Sequence, residues 1–166
     1  MAEQRQTWIV AQEVVASRSF EETNAGFEVL STAECLDLLR AGGVGRVAFV
    51  EGALAIVLPV DFALTDRQEI VFLTSSGSKL RAVERGAALT FETDDLGADG
   101  VGWSVLATGP ARWSADHAAV EAVRSLGVLP HGPGGREHVV GIEVRSVTGR
   151  RFGVTGRRPG LHPREP

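Results

Sequence analysis

Apolar residues in this chain recur at helical spacing only near its start, and beyond that they fall in short runs broken by turn residues, the pattern of a mainly antiparallel β domain. Ser31 followed three residues later by Glu34 is a capping box, which opens a helix carrying Cys35, Leu36, Leu38 and Leu39 that Gly42-Gly43 stops. Val44 to Val50 then reads as a strand, Glu51-Gly52 as a tight turn, and Ala53 to Val60 as its partner, extending past Pro59 to Leu64. After the turn Thr65 to Gln68 come a strand from Glu69 to Thr74, a short helix from Gly77 to Arg85 and a strand from Ala87 to Thr93. Asp94 to Gly100 is expected as an acidic loop. Trp103 to Trp113 alternates as one strand kinked near Gly109-Pro110. Ser114 caps a helix from Ala115 to Leu126, Leu129 to Gly135 is a loop, and Glu137 to Arg150 is the last strand. The chain divides into an arm (residues 1–28), one domain (29–152) and a tail (153–166) expected to be disordered. Six strands with a few short helices predict a small closed or nearly closed barrel, because closure removes exposed edges.

Composition narrows the function classes. At 166 residues, 43% apolar and 23% charged, the chain has the makeup of a single globular core. A net charge of −4 provides no whole-domain positive field, which argues against nucleic acid as a partner. Cys35 is the single cysteine, so neither an intramolecular disulfide nor a thiolate zinc site can form, and a reducing cytoplasm fits. The apolar residues of the first two dozen positions are interrupted by Gln, Glu, Ser and Arg, so neither a leader nor a membrane span is expected. The basic residues are sixteen Arg and one Lys, Lys79, which reads as compositional bias.

The chemistry concentrates in Phe72-Leu73-Thr74-Ser75-Ser76-Gly77-Ser78-Lys79-Leu80, an apolar strand that ends in hydroxyls and glycine and runs into a helix start. Backbone N–H groups at Ser78 to Leu80, with the Ser and Lys side chains, can cradle a phosphate. The plain alternative is that Ser75, Ser76 or Ser78 merely caps the helix. The glycine-to-lysine spacing excludes a Walker A loop. Arg46, in Gly45-Arg46-Val47-Ala48, can reach a phosphate bidentately or be a surface arginine. Gly42-Gly43-Val44-Gly45 follows a helix and precedes a strand, the reverse of a dinucleotide loop.

The ordered set Gly45-Arg46-Val47-Ala48, Leu58-Pro59-Val60, Phe72-Leu73-Thr74, Gly77-Ser78-Lys79-Leu80, Phe91-Glu92-Thr93-Asp94, Trp103-Ser104-Val105 and Gly109-Pro110-Ala111 resembles the pyridoxamine 5′-phosphate oxidase-like flavin-binding split barrels, over roughly residues 28–150. It is most similar to the small actinobacterial and nitroimidazole-reductase-like members. The resemblance implies a homodimer with cofactor sites at the subunit interface, FMN as the cofactor and a deazaflavin as the alternative. It places Arg46, Ser78 and Lys79 on the phosphate, with Leu80 beside them. Pro59, Val60, Phe72, Leu73 and Thr74, next to Val47, lie along the ring and ribityl chain, and Trp103-Ser104 reach the flavin from the partner subunit. The basic substrate clamp of the vitamin-making enzymes is missing, since only scattered Arg145, Arg150 and Arg151 stand in its region, and no histidine lies on the flavin-facing strands.

The histidines His117, His131, His138 and His162 read as solvated or capping residues, and a haem would have only His131 or His138 as axial ligand. Asp94, Asp95 and Asp99 read as a solvated turn rather than a metal site. Ser104 has no triad partners. No catalytic residue is assigned, because a bound flavin carries the redox chemistry itself. The expected function is a cytoplasmic flavin-dependent oxidoreductase acting on a small organic molecule. The competing readings are a flavin, deazaflavin or haem carrier without turnover, and a scaffold that binds nothing.

Overall fold

The capping box closes as the sequence predicts. Ser31 Oγ accepts from Glu34 N at 3.3 Å while Ser31 N donates to the Glu34 carboxylate at 2.9 Å, so the first orphan donors of the helix are satisfied reciprocally. In the computed structural model, which describes residues 27–98, 100–130 and 137–153, the elements are β1 (Phe27–Leu30), α1 (Thr32–Arg40), β2 (Gly43–Glu51), β3 (Leu54–Leu64), β4 (Glu69–Ser75), α2 (Ser78–Glu84), β5 (Leu89–Leu96), β6 (Val101–Gly109), β7 (Ala111–Ser114), α3 (His117–Ser125), β8 (Glu137–Glu143) and β9 (Ser146–Gly153). All described strands belong to one antiparallel sheet of order β1-β9-β6-β5-β2-β3-β4-β8-β7, curled into a split barrel.

Alternation decides which side chains fill the barrel. On β2, Gly45, Val47 and Phe49 point inward while Val44, Arg46 and Val50 stay outside. The interior cluster joins Val47, Phe49, Val60, Phe62, Phe72, Phe91, Val105, Val140 and Ile142 to Leu36 and Leu39 of α1 and to Ala82 and Val83 of α2. A second cluster lies on the other side of the sheet, where Val120 and Val123 of α3, with Val128, cover Val71, Leu73 and Val139. Both faces of β4 are therefore buried, which is why Ile70 to Leu73 is continuously apolar.

Nine strands replace the six expected among the described residues, and each addition has a physical reason. Phe27 to Leu30, which straddles the expected arm boundary at residue 28 and is not among the expected strands, pairs with β9, and Phe27 meets Phe152 edge to face at 6.2 Å. Trp103 to Trp113 is not one strand: β6 ends at Gly109, and β7 crosses to pair with β8. Glu137 to Arg150 likewise splits, β8 pairing with β4 and β7 and β9 with β6 and β1. The corner between them is pinned by Val144 N to Gln68 O and Arg145 N to Thr108 O, both 3.0 Å. Asp94, Asp95 and Leu96 are not loop but the end of β5, paired with Ser104, Trp103 and Gly102. Asp116, not Ser114, caps α3: its carboxylate accepts from Ala118 N at 3.0 Å, while Ser114 Oγ accepts from Asp116 N. His131, His162, Asp99, the tail beyond Gly153 and the arm before Phe27 lie outside the described residues.

Candidate functional site

The feature that organises the site is a fork in the sheet. β3 pairs with β2 from Leu54 to Phe62, but with β4 only at Phe62↔Phe72, Ala63↔Val71 and Leu64↔Ile70. β4 continues its ladder with β8 to Ser75↔Glu137. Past Phe62 and Phe72, therefore, Pro59-Val60-Asp61 and Leu73-Thr74-Ser75 part from each other, and strand edges that a continuous sheet would pair face the gap. One side of the fork is tied to the segment after α3, because the Asp61 carboxylate accepts from Leu129 N at 2.7 Å.

Five of the expected residues, Pro59, Val60, Phe72, Leu73 and Thr74, flank this fork. Val60, Phe72 and Thr74 are buried toward the interior, whereas Leu73 lies under α3. The Thr74 hydroxyl donates to Ser75 O at 3.1 Å. From Ser75 the chain turns through Ser76-Gly77 into α2, and Ser78, Lys79 and Leu80 form its first turn. The serine-cap alternative does not form, since no side chain caps α2. Leu80 is buried and Lys79 half-buried. Burial pushes the Lys79 ammonium below the ordinary lysine range, and no carboxylate among the described residues pairs with it. A half-buried cation without a counter-ion, at the end of a forked strand, suits an anionic group such as a phosphate.

Arg46 is placed differently. It lies on the outer face as the register partner of Pro59 and Glu92, one strand from the fork, and its guanidinium is bridged by Glu92 at 3.0 Å and by Asp94. These contacts hold it charged, the Asp94 hydrogen bond contributing most. Val47, beside it, is a core residue, and Gly45 is glycine because the Phe91 ring, packed on Phe62 with centroids 4.6 Å apart, occupies the space a Cβ would need. Trp103 and Ser104 are not brought to the fork within one chain, since β5 and β2 separate β6 from β3. Trp103 packs against the interior cluster and Ser104 stands opposite Asp94 on β5.

His138, expected to be solvated or capping, is instead a core residue, 7% exposed, opposite Thr74 on β4. Its ring meets Trp113 edge to face at 5.4 Å. The alternation His138-Val139-Val140 carried the signal, since a residue two before Val140 shares its inward face. His117 opens α3 and is exposed. Among the described residues no group of three or more His, Cys, Asp or Glu is placed to hold a metal ion, and no helix is long and apolar enough to cross a membrane.

Known proteins resemble this chain over most of its length. An uncharacterised Mycobacterium tuberculosis protein, Rv0080, is 31% identical over 132 residues, 76% of this chain and 86% of its own. A solved FAD-binding protein from Mycobacterium smegmatis is 31% identical, with a TM-score of 0.59 over 75% of this chain and 97% of that one. A conserved protein of unknown function from Corynebacterium diphtheriae is 29% identical, with a TM-score of 0.62 over 76% and 98%. The pyridoxamine 5′-phosphate oxidase family model matches residues 31–151, from the cap of α1 into β9, and so takes in the fork, the Lys79 turn and Arg46 together. With its sheet order and its motifs in sequence, this chain belongs to the pyridoxamine 5′-phosphate oxidase-like, flavin-binding split-barrel family.

Proposed function

We propose that this protein binds a flavin at the β3–β4 fork and works as a cytoplasmic flavin-dependent oxidoreductase on a small organic molecule. The observation that carries the reading is the half-buried Lys79, without a carboxylate partner among the described residues, in the turn that leaves the fork. Ser78 and Lys79 hold the phosphate, and Pro59, Val60 and Thr74 border the ring and ribityl chain. Phosphate, ribityl and isoalloxazine are common to FMN and FAD, so these residues serve either nucleotide. FMN is the smaller ligand that the motifs imply, while FAD is what the M. smegmatis relative binds.

When bound, the flavin supplies hydride or electron transfer. The chain's own part is to neutralise the phosphate at Lys79 and to exclude water with the apolar edges of β3 and β4. We assign the second half of the site to a partner subunit, which brings Trp103 and Ser104 to a flavin whose fork lies three strands away in its own chain. The surface offered to that partner is the outer face of β2, β3 and β6, where Val44, Val50, Val57 and Leu106 are exposed.

The test is a visible spectrum of the protein purified without added cofactor, followed by separate titrations of the apo protein with FMN, FAD and a deazaflavin. A co-purified flavin band, or submicromolar binding of one of the three, is expected. Steady turnover of that complex with a chemical reductant and an electron acceptor supports the oxidoreductase, whereas binding without turnover makes it a carrier. A Soret band, or no association at high micromolar concentration, refutes the flavin site.

A further inference from the structure

Asp61 is the only charged residue of β3, whose other positions are all apolar. It is the residue at which β3 stops pairing with β4, directly after Val60, and alternation turns it to the outer face, since Val60 and Phe62 are buried inside. One carboxylate oxygen accepts from Leu129 N at 2.7 Å. Among the described residues Asp61 has no second hydrogen bond and no ion pair. Arg46, diagonal to it in the β2–β3 register and on the same outer face, is held instead by Glu92 and Asp94 on the far side of β2. A partly buried carboxylate in an apolar strand is costly unless donors meet it, and its two oxygens offer about four acceptor positions.

The contact with Leu129 fixes where the carboxylate goes. Gly127, in the left-handed region at φ 87°, follows α3 and sends Val128 into the apolar cluster that α3 forms with Val71 and Leu73 of β4. Leu129 is the next residue, so Asp61 reaches from β3 to a segment seated on β4, across the outer mouth of the fork. The oxygen that Leu129 N does not use stays at that mouth, beside the Pro59-Val60 edge. The fork thus carries two charges of opposite sign without counter-ions among the described residues, the Lys79 ammonium where β4 hands over to α2 and the Asp61 carboxylate on β3.

On the flavin reading a phosphate meets the first of these charges. The second asks for a donor, and the oxidised isoalloxazine ring, which that reading lays along Pro59 and Val60, has a single N–H, the imide N3–H. Resting on that reading, we propose that Asp61 is a further cofactor-binding residue, one carboxylate oxygen accepting from the flavin N3–H while the other stays on Leu129 N. The flavin is then held at both ends, by its pyrimidine edge at β3 and by its phosphate at α2. Asp61 makes the site selective for an unsubstituted imide over an alkylated one.

The probes are FMN and FAD, each with its 3-methyl derivative, in which a methyl group replaces the imide hydrogen. They are titrated by flavin fluorescence quenching into the full-length wild type, Asp61→Asn and Asp61→Ala. Asn keeps an oxygen for Leu129 N but puts an NH2 donor where N3–H needs an acceptor, so it separates the ring contact from the tie to Leu129. The wild type is expected to bind the unmethylated flavin about tenfold more tightly than its 3-methyl derivative, the size of one charge-assisted hydrogen bond. In both variants that preference should shrink to about twofold, because affinity for the unmethylated flavin falls about tenfold while affinity for the 3-methyl derivative changes little. A preference that survives undiminished in the variants, even where both affinities drop, makes Asp61 only a tie for Leu129 and overturns the assignment. Equal affinities of the wild type for the two forms overturn it as well, and in either case the flavin site stands. If one variant does not fold, the other decides. A wild type that binds none of the four flavins overturns the flavin reading itself, and this inference with it.

Discussion

Lys79 and Arg46 look alike in the sequence, as basic residues within two positions of a glycine in the motifs that carry the family resemblance, and the structure gives them opposite circumstances. Lys79 is half-buried, its pKa is lowered by desolvation, and no carboxylate among the described residues meets it. Arg46 is exposed and already bridged by Glu92 and Asp94. Lys79→Ala is expected to raise the FMN dissociation constant about 10- to 100-fold, the worth of a charge-assisted contact to phosphate. Arg46→Ala is expected to cost less, and an isothermal titration showing the reverse order would reject this assignment of the two residues. The sign of the pH dependence follows from the lowered pKa. On the proposed reading the ammonium form holds the phosphate, so FMN affinity is expected to fall as pH rises, starting below the ordinary lysine range, and Lys79→Arg to remove that alkaline limb. Cys35 supplies an independent check on the core. Burial pushes its thiol above the ordinary range, so a disulfide reagent at pH about 8 should label it only on unfolding. At this scale residue types were legible in the sequence and partners were not. Arg46 meets carboxylates 46 and 48 positions away, a pairing fixed by strand register and invisible to local spacing.

Elements bounded by local chemistry were readable. The α1 capping box, the Glu51-Gly52 turn and the short helix after Gly77 all lie close to where their residues place them. Boundaries made by distant contacts were not. The alternation from Glu137 to Arg150 continues across the corner at Val144-Arg145, so nothing in the pattern shows that β8 and β9 pair with different strands. The other corner left a trace in Gly109-Pro110, read as a kink and realised as a strand exchange. There Pro110 O accepts from Glu143 N at 3.1 Å, and a Cβ on Gly109 would overlap the Glu143 carbonyl. Because that neighbour is backbone at a pinned corner, it cannot step aside. Gly109→Ala should therefore destabilise the fold by about 3 kcal/mol, the upper end of overpacking costs. Gly153→Ala, with open space at its Cβ, should stay within about 0.5 kcal/mol. Urea midpoints measured on the two variants settle the comparison, and equal midpoints would contradict the packing of the corner.

At the scale of the molecule, the barrel and its family could be read from motif order, but completeness of the proposed site could not, because the residues proposed for it stand apart in a single chain. Trp103 and Ser104 stand on β6, away from the fork, and the face between them and β3 is unusually apolar for a surface. Val57 is 58% exposed and Leu106 43%, with Val44 and Val50 nearby and the Arg46–Glu92–Asp94 network among them. Apolar residues ringed around neutralised charges suit a self-complementary contact, which a two-fold axis makes twice. The wild type is accordingly expected to run as a dimer in size-exclusion chromatography with light scattering. Val57→Glu and Leu106→Glu, each burying an unpaired carboxylate in such a contact, should shift it to monomer. If the flavin draws on both subunits, the same variants lose FMN affinity although neither residue lies at the fork. Monomeric variants with undiminished affinity would show a site complete within one chain, leaving Trp103 and Ser104 no part in it. A wild type that is monomeric yet binds flavin would lead to the same conclusion and leave the apolar face to some other partner.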